Sequence, residues 1–212
     1  MNGGYDDGYR ACSCFWGREP GSLVTRLPSL TDLKAARVLD AGCGEGKNAA
    51  FIAAAGGIVD AVDVSRLAIE NGKRIWGHME AIRWHVCDLL TWLRSSEAYD
   101  VVIAYGVLHC LASRNDLIRT IELLRNVTKH GGYHVICAFN LRHQELIAHP
   151  GLRPTLIEHR EYLRSYERDL ILFDSDTDLT ETHPHNGLAH THSLSRLIVQ
   201  VRHEHESLPS TT

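Results

Sequence analysis

The period of the apolar positions changes several times along the chain, and each change marks an element. Val38 and Leu39, and then the run from Ile58 to Asp63, are short and β-branched, as buried strands are. Between them Ala49 to Ala55 is an alanine-rich helix that stops at the Gly56-Gly57 turn. Ser65 is a good N-cap for the next helix, which carries Leu67, Ala68, Ile75 and Trp76. Ile82 to Cys87 predicts a third strand ending at Asp88. Tyr99 to Tyr105 is almost unbroken in its apolar character, typical of a central parallel strand buried on both faces. Leu117, Ile118, Ile121, Leu124 and Val127 recur at helical spacing, predicting a helix from about Asn115 to Thr128. Lys129-His130-Gly131-Gly132 stops it, and Tyr133 to Phe139 reads as the fifth strand. Upstream, Pro20 opens a predicted helix through about Leu30, with Leu23, Val24, Leu27 and Leu30 on one face. Strands and helices alternate, so the fold class is α/β.

Three stretches fall outside the alternation. Residues 1 to 21 are polar but hold Tyr5, Tyr9, Phe15 and Trp16, and aromatic residues in a tail need something to cover. The segment reads either as a flap over a ligand or as a packing anchor. Residues 140 to 166 carry Arg142, His143, His149, Arg153, His159, Arg160 and Arg164. Most of these charges suit a solvated helix face from Leu156 to Tyr166. Arg142 and His143 stand out because they follow a strand directly, and the segment is a candidate lid on the substrate side. Asp169 to Phe173 and Leu194 to Val201 read as a final strand pair. The histidines between them (His183, His185, His190 and His192) read as a polar surface hairpin around an Asn186-Gly187 turn rather than as metal ligands. No metal is expected.

Candidate chemistry concentrates between the first two strands, where the chain reads Asp40-Ala-Gly42-Cys43-Gly44-Glu-Gly46-Lys-Asn48. Glycines let the backbone turn sharply and let a ligand lie against bare peptide. The loop opens a helix N-terminus, where free N–H groups gather. Asp63 ends the second strand 19 residues after Gly44, where a carboxylate can take both hydroxyls of a ribose. A dinucleotide site wants Gly-x-Gly-x-x-Gly, so that its pyrophosphate rests on the helix. Here the spacing is Gly-x-Gly-x-Gly, and Asp40 before it would repel a phosphate but attract an ammonium. A dehydrogenase is weakened accordingly.

This motif resembles that of class I S-adenosylmethionine-dependent methyltransferases, hydrophobic-Asp-x-Gly-x-Gly-x-Gly. The resemblance implies a doubly wound, seven-stranded, mainly parallel sheet with one antiparallel strand, over a single domain of residues 1–212. It implies S-adenosylmethionine as cofactor, held by Asp40, Gly42, Cys43, Gly44, Gly46 and Asn48, by Asp63 and Val64 at the ribose, and by Asp88, Leu89 and Tyr105. Asp88 resembles the family's adenine-contacting acid and is also a fit N-cap for a short helix from Leu89 to Leu93. Arg18, in the N-terminal segment, could meet the cofactor carboxylate. The Gly46-Lys47-Asn48 run, the Gly131-Gly132-Tyr133 turn and Glu181-Thr182-His183 resemble the tellurite-resistance methyltransferase family. The function implied is methyl transfer to a small-molecule acceptor, a metabolite, an oxyanion of the tellurite or selenite kind, or a natural-product intermediate. A non-catalytic S-adenosylmethionine-binding module acting through a protein partner is the alternative. On the acceptor side Trp16, His109, Arg142 and His143 are the candidates. His109 follows the central strand and reads either as a general base with an ordinary pKa or as a polar helix-start residue.

Composition narrows the partners. With 212 residues and a net charge of −4, and with no lysine or arginine block, duplex nucleic acid is not an expected partner. No apolar run approaches the roughly 20 residues of a membrane span. The polar, acidic start (Met1 to Asp7) does not read as a signal peptide. Of six cysteines, Cys43, Cys87, Cys110 and Cys137 lie in or beside apolar runs and Cys12-x-Cys14 lacks a second pair, so they read as reduced thiols in a cytoplasmic protein. Monomer and homodimer both stay open. The tail from Glu204 to Thr212 reads as frayed.

Overall fold

A computed structural model describes residues 5–94, 98–147, 149, 151–182 and 187–203. The elements in order are α1 (Asp6–Ala11), β1 (Arg37–Ala41), α2 (Lys47–Ala54), β2 (Ile58–Asp63), α3 (Arg66–Trp76), β3 (Ile82–Val86), α4 (Leu89–Leu93), β4 (Tyr99–Tyr105), α5 (Arg114–Asn126), β5 (Thr128–Gln144), α6 (His159–Arg164), β6 (Leu170–Thr182) and β7 (Ala189–Gln200). They build one seven-stranded sheet in the order β3-β2-β1-β4-β5-β7-β6. β1 to β5 pair in parallel, and β7 runs antiparallel between β5 and β6. This is the doubly wound sheet with one reversed strand that the motif implied.

Each face of the sheet buries its own apolar layer. Leu39, Val102 and Ile136 face α5 and α6 through Leu117, Ile121, Tyr162 and Tyr166. Val38, Val101, Ile103 and Val135 face the other way, against α2, α3 and the residues around Leu23 to Leu27. The parallel strands are apolar on both faces because helices cover both. β1, β2 and β4 end side by side at their carboxyl edge. The Gly42 and Cys43 amides donate to Val62 O at 2.8 and 3.0 Å, which turns the glycine loop across the top of β2.

Several boundaries differ from expectation. The helix expected from Pro20 to Leu30 is a 3-10 turn, Val24–Ser29. Pro28 lies inside it and has no N–H for an α-type bond, so the turn closes through shorter bonds such as Arg26 N–H to Leu23 O. Leu30 is exposed while Leu23, Val24 and Leu27 are buried. The strands of the last third are longer than expected: β5 has 17 residues, β6 has 13 and β7 has 12. Polar residues hid them, since one face of β6 presents Asp174, Asp176 and Asp178, all exposed. Lys129-His130-Gly131-Gly132, expected to stop the helix, lies inside β5 instead: the helix ends at Asn126 and the strand starts at Thr128, with Gly131 at φ 79°. The helix expected over 156–166 shortens to α6, with its N-terminus held by a Glu158/Glu161 capping box. His183, His185, Asn186 of the expected turn and the tail from 204 lie outside the described residues.

Candidate cofactor and acceptor site

A cavity of about 320 Å³ opens at the carboxyl edge of the parallel strands. That is the crevice where open α/β sheets bind ligands. Its floor at one end is the glycine loop. Gly42, Gly44 and Gly46 all have positive φ (67°, 54° and 81°), which is why the loop needs three glycines. A Cβ on Gly42 would lie 2.4 Å from Val107, and one on Gly46 would lie 2.3 Å from the Trp84 ring. Gly42 and Gly44 line the cavity, whereas Gly46 serves close packing.

Asp63 stands at the tip of β2 with both carboxylate oxygens aimed by backbone: Oδ2 accepts the Gly44 amide at 2.8 Å and Oδ1 the Ser65 amide at 2.8 Å. Burial raises its pKa, and those two amides oppose the rise. A carboxylate oxygen accepts more than one hydrogen bond, so Asp63 retains capacity for ligand hydroxyls. Asp88 caps α4 by accepting from the Thr91 amide at 3.0 Å, and it also lines the cavity with Leu89. Both readings of Asp88 are therefore compatible in one side chain.

Of the residues expected at the cofactor, Gly42, Cys43, Gly44, Asn48, Asp63, Val64, Asp88, Leu89 and Tyr105 line the cavity. Asp40, Gly46 and Arg18 are not among its described lining residues. Asp40 is buried, accepts the Ala49 amide at 3.1 Å, and burial pushes its pKa up to about 7. Its structural work is to pin the first turn of α2. Arg18 is exposed.

Asn48, Glu45 and Lys47 perform a task that the motif alone did not announce. The Glu45 carboxylate accepts the Cys14 amide at 3.0 Å, the Phe15 amide at 2.6 Å and the Asn71 side chain at 3.0 Å. Lys47 Nζ donates to Trp16 O at 2.8 Å, and Asn48 Oδ1 accepts the Gly21 amide at 2.8 Å. Three side chains of the glycine loop and α2 thus hold residues 14 to 21 against the site. Phe15 and Tyr9 are buried there with Ala68, and Tyr5, Tyr9 and Trp16 face the cavity. A glutamate amid the glycines was the available signal, because glycine-loop geometry gives that position no role of its own.

At the far end lie Phe139, Leu179, Glu181, Leu194 and His109. His109 is buried, with its ring stacked on Phe139 at 4.0 Å. Its Nδ1 accepts the Phe139 amide at 3.1 Å, so a neutral ring carries its proton on Nε2, 3.4 Å from the Tyr5 hydroxyl. Burial, then the neighbouring His192, push its pKa down to about 3. The expected base with an ordinary pKa is corrected here: His109 reaches the cavity as a neutral hydrogen-bond donor.

Arg142 and His143 are not among the described lining residues. The alternation of β5 carries Arg142 outward to Asp176 (3.1 Å) and Asp178 (2.6 Å) on β6, and His143 lies half exposed, 3.6 Å from Glu145. The hairpin histidines invert the expectation. His190 and His192 are 1% and 0% exposed, not on the surface. With His149 and Glu181 they place one ligand atom each within 4.8 Å of one another.

Among the described residues no helix is long and apolar enough to cross a membrane. Residues 38–132 match the family model for a methyltransferase domain. No curated protein sequence matches the chain. Among solved structures, TehB from Haemophilus influenzae aligns over 86% of this chain at 18% identity, with a TM-score of 0.71; the chain spans 62% of that protein's length. A structure described as the conversion of a disulfide bond into a thioacetal group during echinomycin biosynthesis aligns over 95% of this chain and 93% of its own, at 20% identity and a TM-score of 0.71. The Burkholderia thailandensis 1,6-didemethyltoxoflavin-N1-methyltransferase, solved with its substrate and S-adenosylhomocysteine, aligns over 91% of this chain and 83% of its own, at 21% identity and a TM-score of 0.61. At such identities these likenesses are of fold. Residues 38–132 therefore match a methyltransferase domain, and the chain as a whole shares its fold with these structures.

Proposed function

We propose that the protein transfers the methyl group of S-adenosylmethionine to a small organic acceptor with an apolar body. The single observation that carries this reading is the continuity of the cavity. One cavity is lined both by the glycine loop and Asp63 and by the rings of Trp16 and Phe139. S-adenosylmethionine supplies a methyl group already activated on a sulfonium, so the chain must mainly bind, align and exclude water. Asp63 takes the ribose hydroxyls, and Asp88 and Leu89 flank the base. The bare peptide at Gly42 and Gly44 admits the amino-acid end. Trp16 and Phe139 keep water from the acceptor, and His109 Nε2–H orients a polar group on it.

Among the described lining residues the cationic side chain is Lys47, which already donates to Trp16 O. A wall with Arg142 and His143 outside it favours a neutral organic acceptor over a tellurite-like oxyanion. The structures tied to echinomycin biosynthesis and to 1,6-didemethyltoxoflavin are consistent with that choice. Six free cysteines fit a reducing, cytoplasmic setting.

Asp63→Ala should weaken S-adenosylhomocysteine binding by about 1.5–3 kcal/mol, the worth of a hydrogen bond to a charged group, and leave the fold intact. Calorimetric titration measures it. Unchanged affinity in the variant, or tighter binding of NAD than of S-adenosylhomocysteine, would overturn the assignment. Incubating the protein and cofactor with a metabolite extract, and looking for mass gains of one methyl group, then separates an enzyme from a binding module.

A further inference from the structure

We propose that His149, His190, His192 and Glu181 form a binding site for one divalent transition-metal ion, of the zinc class, beside the acceptor end of the cavity. Four observations converge on it. First, the spacing is that of ligands: His149 Nε2 lies 3.1 Å from both His190 Nε2 and His192 Nε2, and Glu181 Oε1 lies 3.7 Å from His190 Nε2. Two nitrogens bound tetrahedrally to zinc are about 3.3 Å apart, given Zn–N bonds of about 2.0–2.1 Å.

Second, the lone pairs point inward. His190 Nδ1 lies 2.9 Å from Leu188 O, a carbonyl that can only accept, so Nδ1 carries the proton. His192 Nδ1 lies 2.8 Å from Gln144 Oε1. That amide is itself oriented, because Gln144 Nε2 donates to Asn140 O at 2.8 Å and Ser193 O at 2.9 Å. With Nδ1 protonated in both rings, the neutral Nε2 atoms present lone pairs to the same point. Metal-bound histidines are oriented in this way, through the nitrogen that does not bind the ion.

Third, the donor set suits the ion: three imidazoles and one carboxylate match borderline-soft divalent metals rather than magnesium or calcium. Fourth, the three rings are buried and arrive from separate parts of the chain, the 145–158 connection and the β6–β7 hairpin. An ion there would tie that connection to the hairpin. Glu181 lines the cavity, and His149 stacks with Trp16 at 6.0 Å, so the ion would stand on the wall shared with the acceptor.

The test uses the full chain, stripped with a chelator and titrated with zinc by calorimetry, with elemental analysis for stoichiometry. One zinc per chain is expected. Cobalt in its place should give the visible bands of a nitrogen-ligated, four-coordinate ion. His192→Ala should lower zinc affinity by more than about 100-fold. Gln144→Ala, which keeps all four ligands, should lower it by about 10–100-fold, the usual effect of removing an orienting partner. S-adenosylhomocysteine titration of the same samples reports that each variant is folded. A wild-type chain that takes up no zinc, or zinc affinity unchanged in both variants, would overturn the site. Zinc binding without S-adenosylhomocysteine binding would support the site and sink the cofactor reading instead.

Discussion

The two halves of the sheet build their ends of the cavity by different means. In the half from β1 to β4, backbone shapes the cavity: a glycine loop with three positive φ values, loop amides on Val62 O, and one carboxylate held by two more amides. At the other end, the turn after β4 and the strands β5 to β7 bring together side chains distant in sequence: His109, Phe139, His149, Glu181, His190 and His192. A backbone site is local and tolerates many neighbours. A side-chain site depends on register, because a shift of one residue in β6 or β7 would turn every inward group outward.

Asp40 and His134, one in each half, should also answer pH in opposite directions. Burial pushes Asp40 up to about 7 from 3.8, so the native state holds a proton that the unfolded chain releases. Its contribution to stability is complete below the unfolded value and is lost as pH rises through 7. His134, on β5, lies between the Thr128 and Tyr166 hydroxyls, and burial pushes it down to about 3 from 6.5. The unfolded chain binds its proton first, so stability is lost as pH falls from 6.5 toward 3. Between pH 6.5 and 4.5 each group is worth about 2 kcal/mol, with opposite sign. Asp40→Asn removes one side of the balance. Urea unfolding in the presence of chelator should show the variant losing about 2 kcal/mol more than wild type over that interval. Equal losses would mean that Asp40 is ionised in the native state throughout.

The same contrast explains what could be read from the sequence. The cofactor half was legible because its signals are local: Gly-x-Gly-x-Gly after an apolar strand, and an acid at the next strand's tip. β4 runs from Tyr99 to Tyr105, as its apolar run predicted. In the acceptor half the signals were spread over residues 109 to 192 and carried the wrong local pattern. His190-Thr191-His192 looks polar, and so superficial, until β7 is seen to run between β5 and β6 with both its neighbours paired. Arg142 looked like a ligand-binding cation by its place after a strand, but β5 continues to Gln144, and alternation turns Arg142 toward Asp176 and Asp178. Glu45 was missed for a third reason: its place amid the glycines marks it, but two of its partners are the backbone amides of Cys14 and Phe15, which no side-chain pattern names.

Glycine substitution sharpens the comparison a second way. Gly46 and Gly131 have nearly the same left-handed φ, 81° and 79°. A Cβ at Gly46 would lie 2.3 Å from Trp84, whereas one at Gly131 would meet nothing within 4 Å. Backbone strain of about 1–2 kcal/mol applies to both. Overpacking adds about 1–3 kcal/mol only at Gly46. Gly46→Ala should therefore cost roughly 3 kcal/mol and Gly131→Ala roughly 1 kcal/mol in denaturant unfolding. Equal costs would show that the Trp84 ring swings aside without penalty.

The smallest effect bears on the N-terminal segment that spans both halves. Glu45 holds the Cys14 and Phe15 amides with separate carboxylate oxygens. Glu45→Gln keeps one accepting oxygen and puts an NH₂ group, a donor, where the other was, so one amide loses its partner. The expected loss is about 1 kcal/mol, felt as local opening rather than global unfolding. Amide exchange at residues 14 to 16 should quicken about five-fold, with the core amides of β1 and β4 unchanged. S-adenosylhomocysteine separates the two roles open to this segment. If it closes over the cofactor, ligand should slow exchange at Phe15 in the wild type, and Glu45→Gln should weaken binding by a similar five-fold, because closure must then be driven by the ligand itself. If exchange quickens in the variant while affinity stays at the wild-type value, residues 14 to 16 anchor the fold beside the cavity and take no part in holding the ligand.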